Sequence, residues 1–140
     1  MSLVQLIYVS DLVNKDETQM TSILEASVRH NQQDGITGML LYSNGNFLQV
    51  LEGEKAAVDK TYARICEDRR HNNAILITED LVTERHFAQW SMGYRHLSPE
   101  VASSVPQYAP FFQFGFDAKA IQAKPGVALE MLQLFSQGMF

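Results

Sequence analysis

Three polar side chains in this sequence stand where the local pattern calls for apolar ones, and their types suit chemistry. Tyr8 lies in the run Leu6-Ile7-Tyr8-Val9-Ser10, Gln49 in Phe47-Leu48-Gln49-Val50-Leu51, and Asn31 one helical turn beyond Ser27. A tyrosyl hydroxyl and two carboxamides supply hydrogen-bond donors and acceptors side by side. Each residue also has an ordinary structural role. Tyr8 can fill a core with its hydroxyl on one acceptor, Gln49 can pair with backbone, and Asn31 can terminate a helix. An unpaired buried amide costs about 1–3 kcal/mol, so all three need partners.

The elements that must position them follow from periodicity. Leu3–Ser10 is apolar on both alternating faces, the pattern of a strand covered on both sides. Asp16 or Thr18 can cap a helix whose inner stripe is Met20, Ile23, Leu24, Ser27 and Asn31, ending near Gly35. Ile36–Tyr42 and Phe47–Leu51 are two strands joined by Ser43-Asn44-Gly45-Asn46, and Asn-Gly there predicts a type I′ hairpin. A second helix is expected over Lys55–Asp68, with Val58, Tyr62 and Ile65 inward, then strands over Ala74–Leu81 and Phe87–Arg95. The order βαββαββ predicts an α+β, ferredoxin-like sandwich: a mixed five-stranded sheet with two helices on one face. One helix and two strands then bracket a single cleft around Tyr8, Asn31 and Gln49. Such a cleft suits a flat heterocycle with amide and imide edges, of which an isoalloxazine ring is one.

All four prolines fall at or beyond Pro99, and Leu129, Leu132, Phe135 and Met139 recur at helical spacing. The expected division is therefore a domain over 1–97 and a helical appendage over 98–140 that packs on the open sheet face or on a second copy. Phe111, Phe112, Phe114 and Phe116 belong to that cover.

The 140 residues, with 46% hydrophobic and 19% charged, suit one compact domain. A net charge of −5 argues against general nucleic-acid binding. The single cysteine, Cys66, excludes an internal disulfide, and no Cys/His spacing forms a metal site. No apolar run reaches the ~20 residues that span a bilayer, and the N-terminus lacks signal-peptide character. These features point to the cytoplasm.

The segments Leu6-Ile7-Tyr8-Val9-Ser10, Asn31 with Gly35-Ile36-Thr37-Gly38-Met39-Leu40, Phe47-Leu48-Gln49-Val50-Leu51-Glu52-Gly53 and Trp90-Ser91-Met92 together resemble the BLUF family, sensors of blue light using FAD. The resemblance runs from about Leu3 to His96, in family order. It implies the same ferredoxin-like fold with a flavin between the two helices. By position it implies Tyr8 as photochemical donor of electron and proton, and Gln49 as the amide that rearranges between tyrosine and flavin. Asn31 would bond the pyrimidine edge, with His30 adjoining. Ile23, Leu24, Leu40 and Ile65 would pack on the ring. Arg64 and Asp68 would lie toward its other side and the ribityl chain, and Asp68-Arg69-Arg70-His71 is close to the family's Asp-x-Arg-His. Trp90 and Met92, in the fifth strand, would carry the signal out.

The resemblance implies FAD as cofactor, with FMN or riboflavin fitting the same ring pocket, and a non-enzymatic sensor. Only 44 residues follow His96, too few for a catalytic effector domain. Output would pass through the appendage, a homo-oligomer or a separate partner protein, with no role for nucleic acid, membrane or metal. Two alternatives belong to other classes. A small acylphosphatase-like hydrolase needs an arginine-bearing phosphate loop, and Asp11-Leu12-Val13-Asn14-Lys15 has neither arginine nor glycine. A light-independent flavin redox or temperature sensor would bind the same cofactor.

Overall fold

The computed structural model describes residues 2–98, 100, 105–111 and 116–136. Five strands form one sheet: β1 (Leu3–Leu12), β2 (Thr37–Ser43), β3 (Asn46–Glu54), β4 (His71–Leu81) and β5 (Gly93–His96), in the order β4-β1-β3-β2-β5. β1 is antiparallel to β3 and β4, β3 to β2, and β5 runs parallel to β2. This is the mixed five-stranded sheet of the ferredoxin-like sandwich.

Helices α1 (Met20–Asp34) and α2 (Lys55–Glu67) cover one sheet face. Met20, Ile23 and Val58 meet Leu6, Tyr8, Leu40, Phe47 and Leu51 there in one buried cluster. α1 is entered through a 3-10 turn, Glu17–Gln19, whose preceding Asp16 accepts from the Thr18 backbone N–H at 3.2 Å. It stops at Gly35, where φ is +68°, a conformation a side chain disfavours. Asn44 and Gly45 both have positive φ, 46° and 87°, as a type I′ hairpin requires.

The opposite face is covered by the C-terminal segment. The short α3 (Ala118–Ala123) and α4 (Gly126–Ser136) follow a 3-10 stretch at Pro106–Phe111. Ile121, Ala128, Met131, Leu132 and Phe135 are buried against Ile7, Val9, Met39, Leu41, Leu48 and Val50. Phe111 and Phe116 join this core; Phe112, Phe114, Pro99 and Met139 lie outside the described residues.

One element departs from expectation. The fifth strand begins at Gly93, not Phe87, so Trp90-Ser91-Met92 precedes it. The physical cause is Glu52, whose carboxylate accepts the backbone N–H groups of His86 and Phe87, both at 2.8 Å. These donors are turned onto a side chain and taken out of any strand ladder. A turn with Trp90 N–H on Phe87 C=O, 3.3 Å, completes the departure.

Candidate functional site

The β-ladder brings the site together. Gln49, in the central strand β3, pairs with Tyr8 of β1 on one side and Leu40 of β2 on the other. Directly paired residues share a face, so Tyr8, Gln49 and Leu40 form one row beneath the helices. All three are nearly inaccessible to water. The Tyr8 hydroxyl donates to Gln49 Oε1. With its oxygen on Tyr8, the Gln49 amide nitrogen points the other way, toward Met92 Sδ at 3.2 Å. Asn31, at the start of the last turn of α1 and buried, donates from Nδ2 to the Ser91 carbonyl at 2.6 Å. Both carboxamides therefore hold the segment ahead of β5.

Above this row lies a cleft of about 390 Å³ between α1 and α2, within the size range of small-molecule sites. Ile23, His30, Asn31, Gln49, Arg64, Ile65 and Asp68 line it. Tyr8 and Leu40 flank Gln49 in the sheet. Leu24 packs against the helix-side core and borders a shallow groove on α1 with Val28 and Arg29. Met92 is packed in the helix-side core, and half-buried Trp90 against the opposite core beside Phe87.

Several wall residues carry no signal of a site in the sequence. Ser27, Thr61, Arg70 and His71 also line the cleft. Thr61 stands one turn before Ile65 on the same helix face, where nothing in its type singles it out. Arg70 and His71 lay inside a segment noted for its resemblance but were given no role.

Burial sets the electrostatics. The Tyr8 phenol is pushed well above the usual tyrosine range, first by desolvation and then by Tyr62, Cys66 and Asp68. It is a neutral donor at any physiological pH. The Tyr62 ring lies 5.2 Å from it, centroid to centroid. Arg70 holds the Asp68 carboxyl below its ordinary value through hydrogen bonds, Nη2 to Oδ2 at 2.6 Å. Arg70 also donates to Ser22 Oγ of α1 at 3.1 Å. Desolvation lowers His71 to about 4, so its ring is neutral, with Nδ1 3.2 Å from Ser10 Oγ. His30 is lowered chiefly by Arg64. Arg64 lies 3.8 Å from Asp34.

Set beside known proteins, residues 3–93 match the family described as "BLUF: Sensors of blue-light using FAD". The chain is 34% identical over 93 residues to photoactivated adenylate cyclase subunit beta of Euglena longa, which covers 65% of this chain and 11% of that protein. It is 31% identical over 127 residues to the blue light- and temperature-regulated antirepressor BluF of Escherichia coli K12, covering 86% and 31%. The solved photo-activated state of BlsA superposes with a TM-score of 0.76 at 27% identity, over 94% of this chain and 95% of that one. The chain belongs to the BLUF family. It spans well under half the length of these two relatives.

The residues present fit a flavin. Among the described residues, Thr61 Oγ1 is a buried side-chain polar atom with no hydrogen-bond partner, and Thr61 lines this cleft. Such an orphan is costly unless something enters to meet it. Asn31, Gln49, Arg64 and His30 offer the mixed donors and acceptors that an imide edge needs, while Ile23 and Ile65 supply apolar walls.

Proposed function

We propose that this chain is a blue-light sensor module that holds a flavin, FAD by the family's description, between α1 and α2. The observation that carries the reading is the placement of the Gln49 carboxamide, at the cleft wall between the Tyr8 hydroxyl and the Met92 sulfur. Asn31 and His30 would bond the pyrimidine edge of the ring, Ile23 and Ile65 would pack on its faces, and Arg64 and Asp68 would lie toward the ribityl side. FMN and riboflavin carry the same ring and would enter the same cleft.

Bound flavin supplies a chromophore that becomes a strong oxidant on absorbing blue light. Tyr8 is buried beside that site and held neutral, so it gives up its electron only together with its proton. Gln49 Oε1 already faces that proton. Once the electron returns, the carboxamide can remain rotated or tautomerised, with its donor end withdrawn from Met92. One rearranged hydrogen bond is worth about 1 kcal/mol, enough to bias a neighbouring two-state segment several-fold but not to drive a large motion by itself.

The segment biased is Trp90–Met92, which runs directly into β5. There Arg95 donates to the Phe135 carbonyl at 3.0 Å and lies over the Phe135 ring at 5.9 Å. This links the photochemical row to α4, on the far face of the sheet. The proposed output is a changed fit of the C-terminal segment to a downstream partner protein or a second copy, with no catalysis by this chain. Among the described residues no helix is long and apolar enough to cross a membrane, and the cytoplasm is the proposed compartment.

Flavin titration of the apoprotein tests the binding half of this reading. FAD fluorescence should be quenched at one molecule per chain, with FMN and riboflavin competing. No uptake of any of the three would refute it.

A further inference from the structure

Residues 85–92 form a strap across one end of the sheet, and nearly every fixed point at its near end belongs to Glu52. That carboxylate has no exposed surface. It accepts from Gln5 Nε2 at 2.9 Å and from the backbone N–H groups of His86 and Phe87 at 2.8 Å each. Arg85 adds a bond from Nη1 to the Glu52 backbone carbonyl, 3.1 Å, while also holding Thr37 Oγ1 at 2.9 Å and the Gly35 carbonyl at 2.8 Å. Glu52 and Gln49 are three residues apart in β3 and so point to opposite faces of the sheet. The strap moored under Glu52 on one face delivers Ser91 and Met92 to Asn31 and Gln49 on the other. Midway, Gly38 N–H bonds the Trp90 carbonyl at 3.1 Å.

The relative strengths of these contacts decide what positions Met92. A thioether is a weak acceptor, so the Gln49–Met92 contact cannot by itself hold the segment. Glu52, by contrast, accepts from three N–H donors away from water, where low local dielectric strengthens each bond. We propose that Glu52 is a positioning residue for the light response: it moors the strap so that Met92 is held against the Gln49 carboxamide in the dark and can be released by it in the light. This rests on the reading of Gln49 given above. Glu52 itself faces away from the cleft and touches no proposed flavin contact.

The test uses the full chain with flavin bound, comparing E52Q and Arg85→Ala with the unaltered protein. Ile7→Val, which loosens the same core cluster without removing any hydrogen bond that moors the strap, controls for lost stability. In the dark, the Met92 ε-methyl NMR resonance should move or split in E52Q and Arg85→Ala and stay in place in Ile7→Val. Amide exchange at His86 and Phe87 should quicken at least tenfold in E52Q. In the light, thermal recovery of the dark spectrum should change at least threefold in E52Q, and this effect should vanish when Met92 is already alanine, as expected if Glu52 acts through Met92.

Faster exchange at His86 and Phe87 with an unmoved Met92 resonance would overturn the proposal, leaving Glu52 a purely structural cap. Unchanged exchange would overturn the mooring itself. If E52Q does not fold, Arg85→Ala decides by the same resonance. Should the unaltered protein show no light response, the sensor reading fails, while the dark comparison still settles whether Glu52 places Met92.

Discussion

Gln49 stands directly opposite Tyr8 in the β1–β3 ladder, and its carboxamide oxygen receives the tyrosine hydroxyl. That single pairing fixes which end of the amide is free to point at Met92. Replacing Gln49 by Leu removes both ends at similar volume. The variant should still bind flavin, because the other cleft contacts persist, and should show no light-induced spectral shift. Absorption spectra before and after illumination check this; a normal shift would remove Gln49 from the mechanism.

Asn31 is 1% exposed, and its amide holds the Ser91 carbonyl. Asn31→Ala leaves that carbonyl without its donor and takes one polar group from the cleft. Stability should fall by about 1–3 kcal/mol, read from urea midpoints. Flavin affinity should weaken by about tenfold, equivalent to ~1.4 kcal/mol, read by titration. Unchanged affinity would reduce Asn31 to helix termination and support of the strap.

His71 predicts a pH dependence with a definite sign. Its folded pKa, about 4, is depressed from 6.5 by burial, so on acidification the unfolded chain takes up a proton first. Stability from this group is fully present above pH 7 and is lost as pH falls from 6.5 toward 4. Between pH 7 and pH 4.5 the loss should be about 2–3 kcal/mol. His30, lowered in the same direction, adds to it. The Asp68 contribution is lost only at lower pH, because Arg70 depresses that carboxyl below 3.8. Denaturation midpoints in the dark should show this slope, and His71→Gln should flatten most of it.

Much of the fold was legible because its signals are local. Alternation in Leu3–Ser10, Asn44-Gly45 between two apolar runs, and the stripe from Met20 to Asn31 each report one element on their own. The strap was not legible. Phe87–Met92 reads as a strand by composition, and only a buried carboxylate 35 residues upstream, meeting Phe87 N–H, keeps it out of the ladder. In the site, Tyr8 and Gln49 stood out as polar breaks in apolar strands. Thr61 did not, since a threonine inside an amphipathic helix breaks no pattern.

The C-terminal cover makes its own prediction. Leu132 is fully buried against the sheet face opposite the cleft. Leu132→Ala should cost about 2–5 kcal/mol while leaving flavin affinity in place. Deleting residues 98–140 bares Ile7, Val9, Leu48 and Val50 and should raise binding of a hydrophobic dye and lower solubility. A soluble truncation with no added dye binding would mean that this segment does not cover the sheet in solution.

The light-minus-dark difference spectrum of the flavin-loaded protein tests the central claim most directly, recorded in parallel for Tyr8→Phe. A small, reversible red shift of the flavin band that decays in darkness is expected in the unaltered protein. None is expected in Tyr8→Phe, although that variant stays yellow. Bound flavin with no light-dependent shift, or a normal shift without the Tyr8 hydroxyl, would contradict that claim.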